Sequence, residues 1–533
     1  MLGCPSCGSF LRFDIDLQKL KCDYCGNTYA VDEVTKLRSA RTVDEMPENA
    51  GEEAGGWKKE TAEKLELYSF ICPQCGGTVY GGRQDMTGFC CYCGSPVELA
   101  GRLTEIESPK GVIPFSVNKE QCTEAFLNMV RKTPFLPAGY SDKEHIDSFI
   151  GIYMPYWLYH VNCDGSFSAP AEGSKYRSGD YIITNMYSVS CNLDGDYHGF
   201  EHDASSTFDD GISEAIGPFR TGDKQEFREG YISGFYADAS DMKATVFRRG
   251  AEDTVKEEVF EKVYAAAKDK KVGIKMEYTP GIRNNKLAVD AEKVMYPVWF
   301  MAYRNKDRVA YAAVNGQTGK ITADLPIDNK KFLISSLLTA IPLFLLLELF
   351  AFMTPSTLLL ICSIACVLSV WLQRNQSKRI AAHEGLLGYA VKKPAAGKKK
   401  KRKHVDAGSI CVLVYLSLFA LPVLITVRNI VIPIASAAVA LFFAISLAKD
   451  SRGIKDYGVP FKGTLTAFIS VIAILVTLII RNLPVVSDLW FWGGSIALLA
   501  CIVSAMLCII RNYNIMATRR PAQFNKEGGA GND

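Results

Sequence analysis

Surplus charge is almost absent from this chain: 60 Lys and Arg against 57 Asp and Glu leave +3 over 533 residues. Nothing global therefore announces a nucleic-acid binder, which needs a basic face for the phosphates. Familiar catalytic signatures are missing too. There is no His-Glu-x-x-His and no Gly-x-Ser-x-Gly, which removes two common hydrolase arrangements. Gly319-Lys320 looks like the end of a phosphate-binding loop. Yet Ile321 replaces the magnesium-binding Ser or Thr, and Val314 replaces the first Gly. His198 and His202 have the spacing of a helical metal pair, but Gly199 and the acidic, Gly-rich surroundings argue for two surface histidines instead. Asp and Glu are plentiful, without a spacing that singles out a catalytic pair. The expectation is a protein that is not an enzyme. No secretory signal precedes Cys4, which points to a reducing compartment rather than a disulfide framework.

What the sequence does contain is paired cysteine. Four Cys-x-x-Cys pairs fall in the first hundred residues: Cys4/Cys7, Cys22/Cys25, Cys72/Cys75 and Cys90/Cys93. Fourteen residues separate the inner cysteines in each half, and a Gly follows every pair. The chain thus opens on two copies of one metal-clipped module. Each tight Cys-x-x-Cys turn aims two thiolates at one ion, and two such knuckles complete the closed all-sulfur tetrahedron of structural zinc. Two zinc ions per chain are expected, although iron also accepts four thiolates. Cys91 sits where the first copy has Asp23, so the repeat marks it as a non-ligand. Each ribbon is too short for a core of its own, and most of its folding free energy should come from metal. The remaining cysteines are scattered.

Composition then divides the chain. Charges are spread up to about residue 330, and long apolar runs follow at 332–353, 356–372, 408–427, 430–448, 464–480 and 489–510. Six membrane spans are expected from these runs. Segment 374–403 carries eleven Lys or Arg, the loop 449–462 four and the tail after Ile510 four, against Arg428 and Arg481 on the other side. That bias predicts cytoplasmic termini, soluble domains and basic loop in a multi-pass inner-membrane protein. The basic loop 373–407 reads as a topology determinant that touches anionic lipid headgroups. Glu348 is the acid noted within a span, where a carboxylate invites functional suspicion.

Between ribbons and membrane lies a stretch of mixed character. Asn118 with Gln121 marks a capped helix, and 253–270 a second amphipathic one. Aromatic-rich strands are expected at 152–161, 181–191 and 296–303, with 296–324 as a small antiparallel meander. The expected fold class is multidomain: two small β zinc ribbons (1–30 and 69–100) joined by a charged linker (31–68), an α+β cytoplasmic domain (110–328), an all-α membrane bundle (332–510) and a tail (511–533).

Four further stretches support a family resemblance: Ile113-Pro114-Phe115, Met154-Pro155-Tyr156-Trp157-Leu158, Tyr296-Pro297-Val298-Trp299-Phe300 and Val314-Asn315-Gly316-Gln317-Thr318-Gly319-Lys320. With the paired ribbons before them, they resemble a bacterial family of zinc-ribbon membrane proteins, often labelled primosomal or helicase-like because of the ribbons. The resemblance covers roughly residues 1–330, and the membrane tail is longer than the family's. It implies a metal role for the eight ribbon cysteines. It also implies a membrane anchor working with flotillin-like (SPFH domain) or phage-shock-type envelope-stress proteins. The function expected is a non-enzymatic scaffold that recruits cytoplasmic partners. A transporter or channel with a regulatory zinc-ribbon cytoplasmic domain is the first rival. A nucleic-acid binder is the second, although Trp57 and Lys58-Lys59 lie among acids in the linker rather than on a ribbon. No nucleic-acid partner is expected.

Overall fold

Aromatic and β-branched residues crowd the sequence from Ile150 onward, and there the chain forms its longest strand, Ile150–Ser178. In the computed structural model, residues 2–36, 64–81, 87–93, 95–98, 101–142, 148–238, 240–270, 273–274, 287–305, 308–350, 354–386, 425–455, 463–482 and 487–519 are described. Two compact units emerge. One runs to Lys132 and from Gly139 to Ala323; the other combines Thr133–Ala138 with Asp324–Arg519.

The first unit is built on a 12-stranded sheet. Ile150–Ser178 is flanked on one edge by Tyr236–Asp238 and then Tyr181–Asp203, and on the other by Leu287–Asn305. Leu287–Asn305 pairs in turn with Gly111–Val112 and then Arg308–Asn315. The two aromatic-Pro motifs lie side by side at the centre, with Tyr153 opposite Pro297 and Pro155 opposite Met295. A proline deep in a sheet leaves a ladder position without a donor. Both prolines occupy the place where the outer neighbour changes, between pairing to Tyr236–Asp238 and to Tyr181–Asp203 for Pro155, and between Gly111–Val112 and Arg308–Asn315 for Pro297. Their carbonyls face those junctions, accepting from Ala204 N and Gly316 N, each at 2.8 Å. The missing N–H therefore falls where no strand needs it.

The Asn-Gly-Gln-Thr-Gly turn closes the same region. Asn315 Oδ1 accepts from the N–H of Gln317 and Thr318, both at 2.9 Å. Gln317 accepts from Arg220 N at 2.8 Å and donates to Arg220 O at 3.1 Å. Gly316 lies so close to Phe115 and Pro297 that a Cβ would meet their atoms at 2.5 and 2.9 Å. The motif resembling a phosphate loop is a clasp, holding the loop after helix Asp210–Ile216.

In the second unit four helices pack together: Pro355–Leu386, Ile425–Lys455, Gly463–Asn482 and Asp488–Met516. Thr133–Ala138 joins this unit although it lies far upstream: Phe135 and Phe332 make an edge contact at 5.2 Å, and Lys331 Nζ donates to Leu136 O at 2.7 Å. Asn514 pairs with both backbone groups of Ile327, at 2.7 and 2.8 Å.

The expected fold class needs correcting in two respects. Three helices among the described residues, not six, are long and apolar enough to cross a membrane: Leu358–Ile380, Ile434–Ser451 and Asp488–Met516. A further apolar helix, Gly463–Asn482, has its side chains described without a break only over Gly463–Thr477, a stretch shorter than the three. The run 332–353 overlaps helix Asn329–Phe350, whose side chains after Leu345 are outside the described residues, as are 351–353 and most of 408–427. The first unit is also not an α+β domain with a small meander beside a separate ribbon. It is a large sheet-rich unit, and the strands flanking the second cysteine set, Lys64–Ile71, Thr78–Gly81 and Gly101–Glu107, belong to its main sheet. Strand edges left open by a ribbon are natural points of sheet extension.

Candidate metal centres

All four knuckles share one backbone pattern. The N–H of each leading cysteine donates to the carbonyl five residues on: Cys4 to Ser9, Cys22 to Asn27, Cys72 to Gly77 and Cys90 to Ser95, at 2.6 to 2.9 Å. The trailing glycine N–H returns to the leading carbonyl at Gly8, Gly26 and Gly76. These three glycines have φ near +75°, a conformation that a side chain resists. The sequence Cys-x-x-Cys-Gly thus encodes the turn that points two sulfurs the same way.

The turns bring the sulfurs together as the spacing implied. Cys4, Cys7, Cys22 and Cys25 form one group and Cys72, Cys75, Cys90 and Cys93 the other, with all ligand atoms of each group within 4.8 Å of one another. Cross-knuckle sulfur distances are 3.6 Å for Cys4–Cys25, 3.5 Å for Cys7–Cys22, 3.8 Å for Cys72–Cys93 and 3.7 Å for Cys75–Cys90. A tetrahedron with Zn–S bonds of ~2.3 Å has edges of about 3.8 Å, whereas disulfide sulfurs stand ~2.05 Å apart. The donor set and spacing fit a divalent ion of thiolate preference. In the second group the hydrogen bond shared by Cys75 and Cys90 holds the Cys90 thiol far below its ordinary range and pushes Cys75 far above. A bound cation takes the place of those protons.

The two groups live in different surroundings. In the first, Cys4 and Cys22 are buried while Cys7 and Cys25 are exposed. Its small sheet, Leu11–Asp14, Lys19–Cys22 and Thr28–Tyr29, rests on the main body at Gly230, where a Cβ would meet Val31 at 2.8 Å and Leu20 at 3.1 Å. In the second, all four cysteines are buried, in one core with Phe70, Ile113, Met154, Tyr296 and Phe300. The same repeat position has opposite fates. Tyr24, before Cys25, is 83 % exposed, while Tyr92, before Cys93, is 3 % exposed. The Tyr92 hydroxyl donates to buried Asp238, which also accepts from Ser205 Oγ and, at 2.9 Å, from Thr207 Oγ1.

Comparison with known proteins adds little chemistry. No family model matches the chain, and no solved structure matches it. It is similar to a Bacillus subtilis (strain 168) protein described as "Uncharacterized protein YdjG", with 24 % identity over 339 residues, 62 % of this chain and 90 % of that protein.

The other sequence candidates resolve differently. His198 and His202 lie on strand Tyr181–Asp203 and do not converge on one site. His198 Nδ1 is 2.6 Å from His160 Nδ1, while His202 stacks on Phe247. Three features went unnoticed in the sequence. Asp238 is the buried anchor of the second ribbon. Arg374, counted above with the basic loop, lies within the candidate span Leu358–Ile380, buried, with Nε 2.7 Å from Ser446 Oγ and its guanidinium 5.7 Å from the Phe443 ring. Glu348 has its side chain outside the described residues.

The third is Asp203, buried behind helix Asp210–Ile216. Burial pushes its carboxyl up to about 6, with His202 opposing and Asp210 adding to the shift. The folded state therefore keeps a proton that an unfolded chain loses near 3.8, and this contribution to stability is lost as pH rises from about 4 to 6. Asp203→Asn should raise hydrogen-exchange protection of its strand at pH 7, by on the order of 2 kcal/mol, with the gain narrowing toward pH 5. A gain that does not change with pH would place the effect elsewhere.

Proposed function

We propose that this chain is a non-enzymatic, multi-pass membrane scaffold whose two structural zinc ions shape a cytoplasmic recruiting unit. Its basic segments hold the soluble part on the cytoplasmic face. Its partners are cytoplasmic proteins of the flotillin-like SPFH or phage-shock type, consistent with an envelope-stress role. The observation that carries this reading is the contrast between the repeats. The second ribbon spends its knuckle tyrosine on anchoring itself, whereas the first presents Tyr24 to solvent, and Phe10 and Leu17 are exposed on the same ribbon. Exposed aromatic residues on a rigid clip are suited to holding a partner. The partner should co-purify with the full chain in mild detergent. Tyr24→Ala should reduce its recovery severalfold without loss of either metal ion. Recovery unaffected by Tyr24→Ala and by deletion of the first ribbon would remove the scaffold reading.

A transport reading is favoured by one feature, buried Arg374 in an apolar helix, since intramembrane charge often marks a solute path. Arg374→Gln separates the two: a scaffold keeps its partner at the membrane, whereas a transporter loses flux.

A further inference from the structure

The hairpin formed by Ile150–Ser178 and Tyr181–Asp203 ends in a tip that lies past its last described outside pairing. Among the described residues, Leu287–Asn305 pairs with it as far as Cys163, helix Arg248–Asp269 packs on it at Ala169 and Ala171, and the last outside pairing is Glu172 with Gly273. Six residues, 173–178, follow Glu172 on strand Ile150–Ser178, about 20 Å at ~3.3 Å per residue. Past Glu172, the described pairing is only between the two strands of the hairpin. An unsupported two-stranded ribbon is marginal in water, and its apolar residues need cover.

Register assigns the tip residues to faces. Tyr176 opposes Ile183 and Ser178 opposes Tyr181, so these four share one face; Arg177 opposes Ile182 and Lys175 opposes Thr184 on the other. Tyr181 is 78 % and Ile182 73 % exposed, and Tyr176, Ile183, Met186 and Tyr187 also stand open. Apolar groups therefore project from both faces of a narrow end. A flat protein surface covers one face of such an end, whereas a fluid apolar medium covers both. Tyrosine ring and hydroxyl together suit the headgroup level of a bilayer, with isoleucine below. Arg177, whose Nε donates to Gly179 O at 3.0 Å, stays at the headgroup level, where its charge remains hydrated. The same chain has three helices long and apolar enough to cross a membrane, so a bilayer is at hand.

We propose that this hairpin tip is a lipid-contacting wedge, with Tyr176, Tyr181, Ile182 and Ile183 entering the interfacial layer of a bilayer. The open strand edges also permit pairing with a second copy, and the test distinguishes the two. The full chain, carrying photoreactive benzoylphenylalanine in place of Ile182, is reconstituted in phosphatidylcholine–phosphatidylglycerol vesicles and irradiated. Mass spectrometry should find lipid adducts at least about fivefold more abundant than with the probe at exposed Asp269, on the solvated end of helix Arg248–Asp269. Tyr181→Asn and Tyr176→Asn together, in the same probe-bearing chain, should lower the lipid yield. Adducts joining two copies of the chain, or equal lipid yields at the two probe positions, would overturn the proposal.

Discussion

Cys72→Ser with Cys75→Ser should abolish the fold of the sheet-rich unit, whereas Cys22→Ser with Cys25→Ser should cost one metal ion and only the first ribbon. The wild-type chain is expected to hold two zinc ions, one per four-cysteine group. The difference follows from burial. The second group sits in the core that also contains Phe70, Met154, Tyr296 and Phe300, and its flanking strands are part of the main sheet. A structural zinc site contributes roughly 10–16 kcal/mol, comparable to the ~5–15 kcal/mol net stability of a whole domain. Without it, buried thiols remain in a core that cannot close. The first group has two exposed cysteines and a small sheet of its own, so its unfolding exposes little of the main body. Metal analysis of the detergent-purified full chain, with limited proteolysis of strands Ile150–Ser178 and Leu287–Asn305, reads both outcomes. A double variant at Cys72 and Cys75 that keeps those strands protease-resistant would show that the second ion is dispensable. One ion per wild-type chain would mean that the two groups do not each bind metal.

The second large effect belongs to Asp238→Ala. This carboxylate is 2 % exposed and accepts from Tyr92, Ser205 and Thr207. Deleting it leaves the buried Tyr92 and Ser205 hydroxyls and the half-buried Thr207 hydroxyl short of this acceptor, at ~1–3 kcal/mol for each that finds no substitute. Ser205 and Thr207, 2.6 Å apart, can offset part of that through each other. A total loss of about 3–5 kcal/mol is expected, large against the stability of one domain. Tyr92→Phe should lose about 1–2 kcal/mol through the same bond. Tyr24→Phe at the equivalent position of the first ribbon should be nearly neutral, because that side chain is exposed. Denaturant midpoints of the two tyrosine variants, followed by hydrogen exchange in strand Thr78–Gly81, form the control pair. Equal losses at Tyr24 and Tyr92 would contradict the different roles assigned to the two ribbons.

Reading by residue type succeeded where chemistry is local. A Cys-x-x-Cys-Gly turn is specified by its own five or six residues, and its sulfurs are found where the spacing put them. The capped helix at Asn118 is similar: its side chain accepts from Gln121 N, and Gln121 Oε1 accepts from Asn118 N. Reading failed where the deciding partner is distant. Tyr92 and Asp238 lie 146 positions apart, and nothing near either one announces the other. The membrane count also changed: an apolar run reports composition, whereas the described residues hold three helices long and apolar enough to cross a membrane. The helix containing Leu358–Ile380 continues to Leu386, carrying Arg374 from an expected loop into a packed interface.

The sequence alone therefore determined the two cysteine sites, their pairing into groups of four, and the division into a charged first part and an apolar remainder. Each rests on a short-range cause: tight-turn geometry in the first two and transfer free energy per residue in the third. Only the tertiary structure decided that the second ribbon is a wall of the main sheet while the first stands outside it, and that the motif prolines mark changes of strand neighbour. The same holds for the knuckle tyrosine, buried in one repeat and free in the other. Those outcomes depend on which distant strands pair. Pairing partners are chosen by the fit of whole surfaces, which neighbouring residues do not encode.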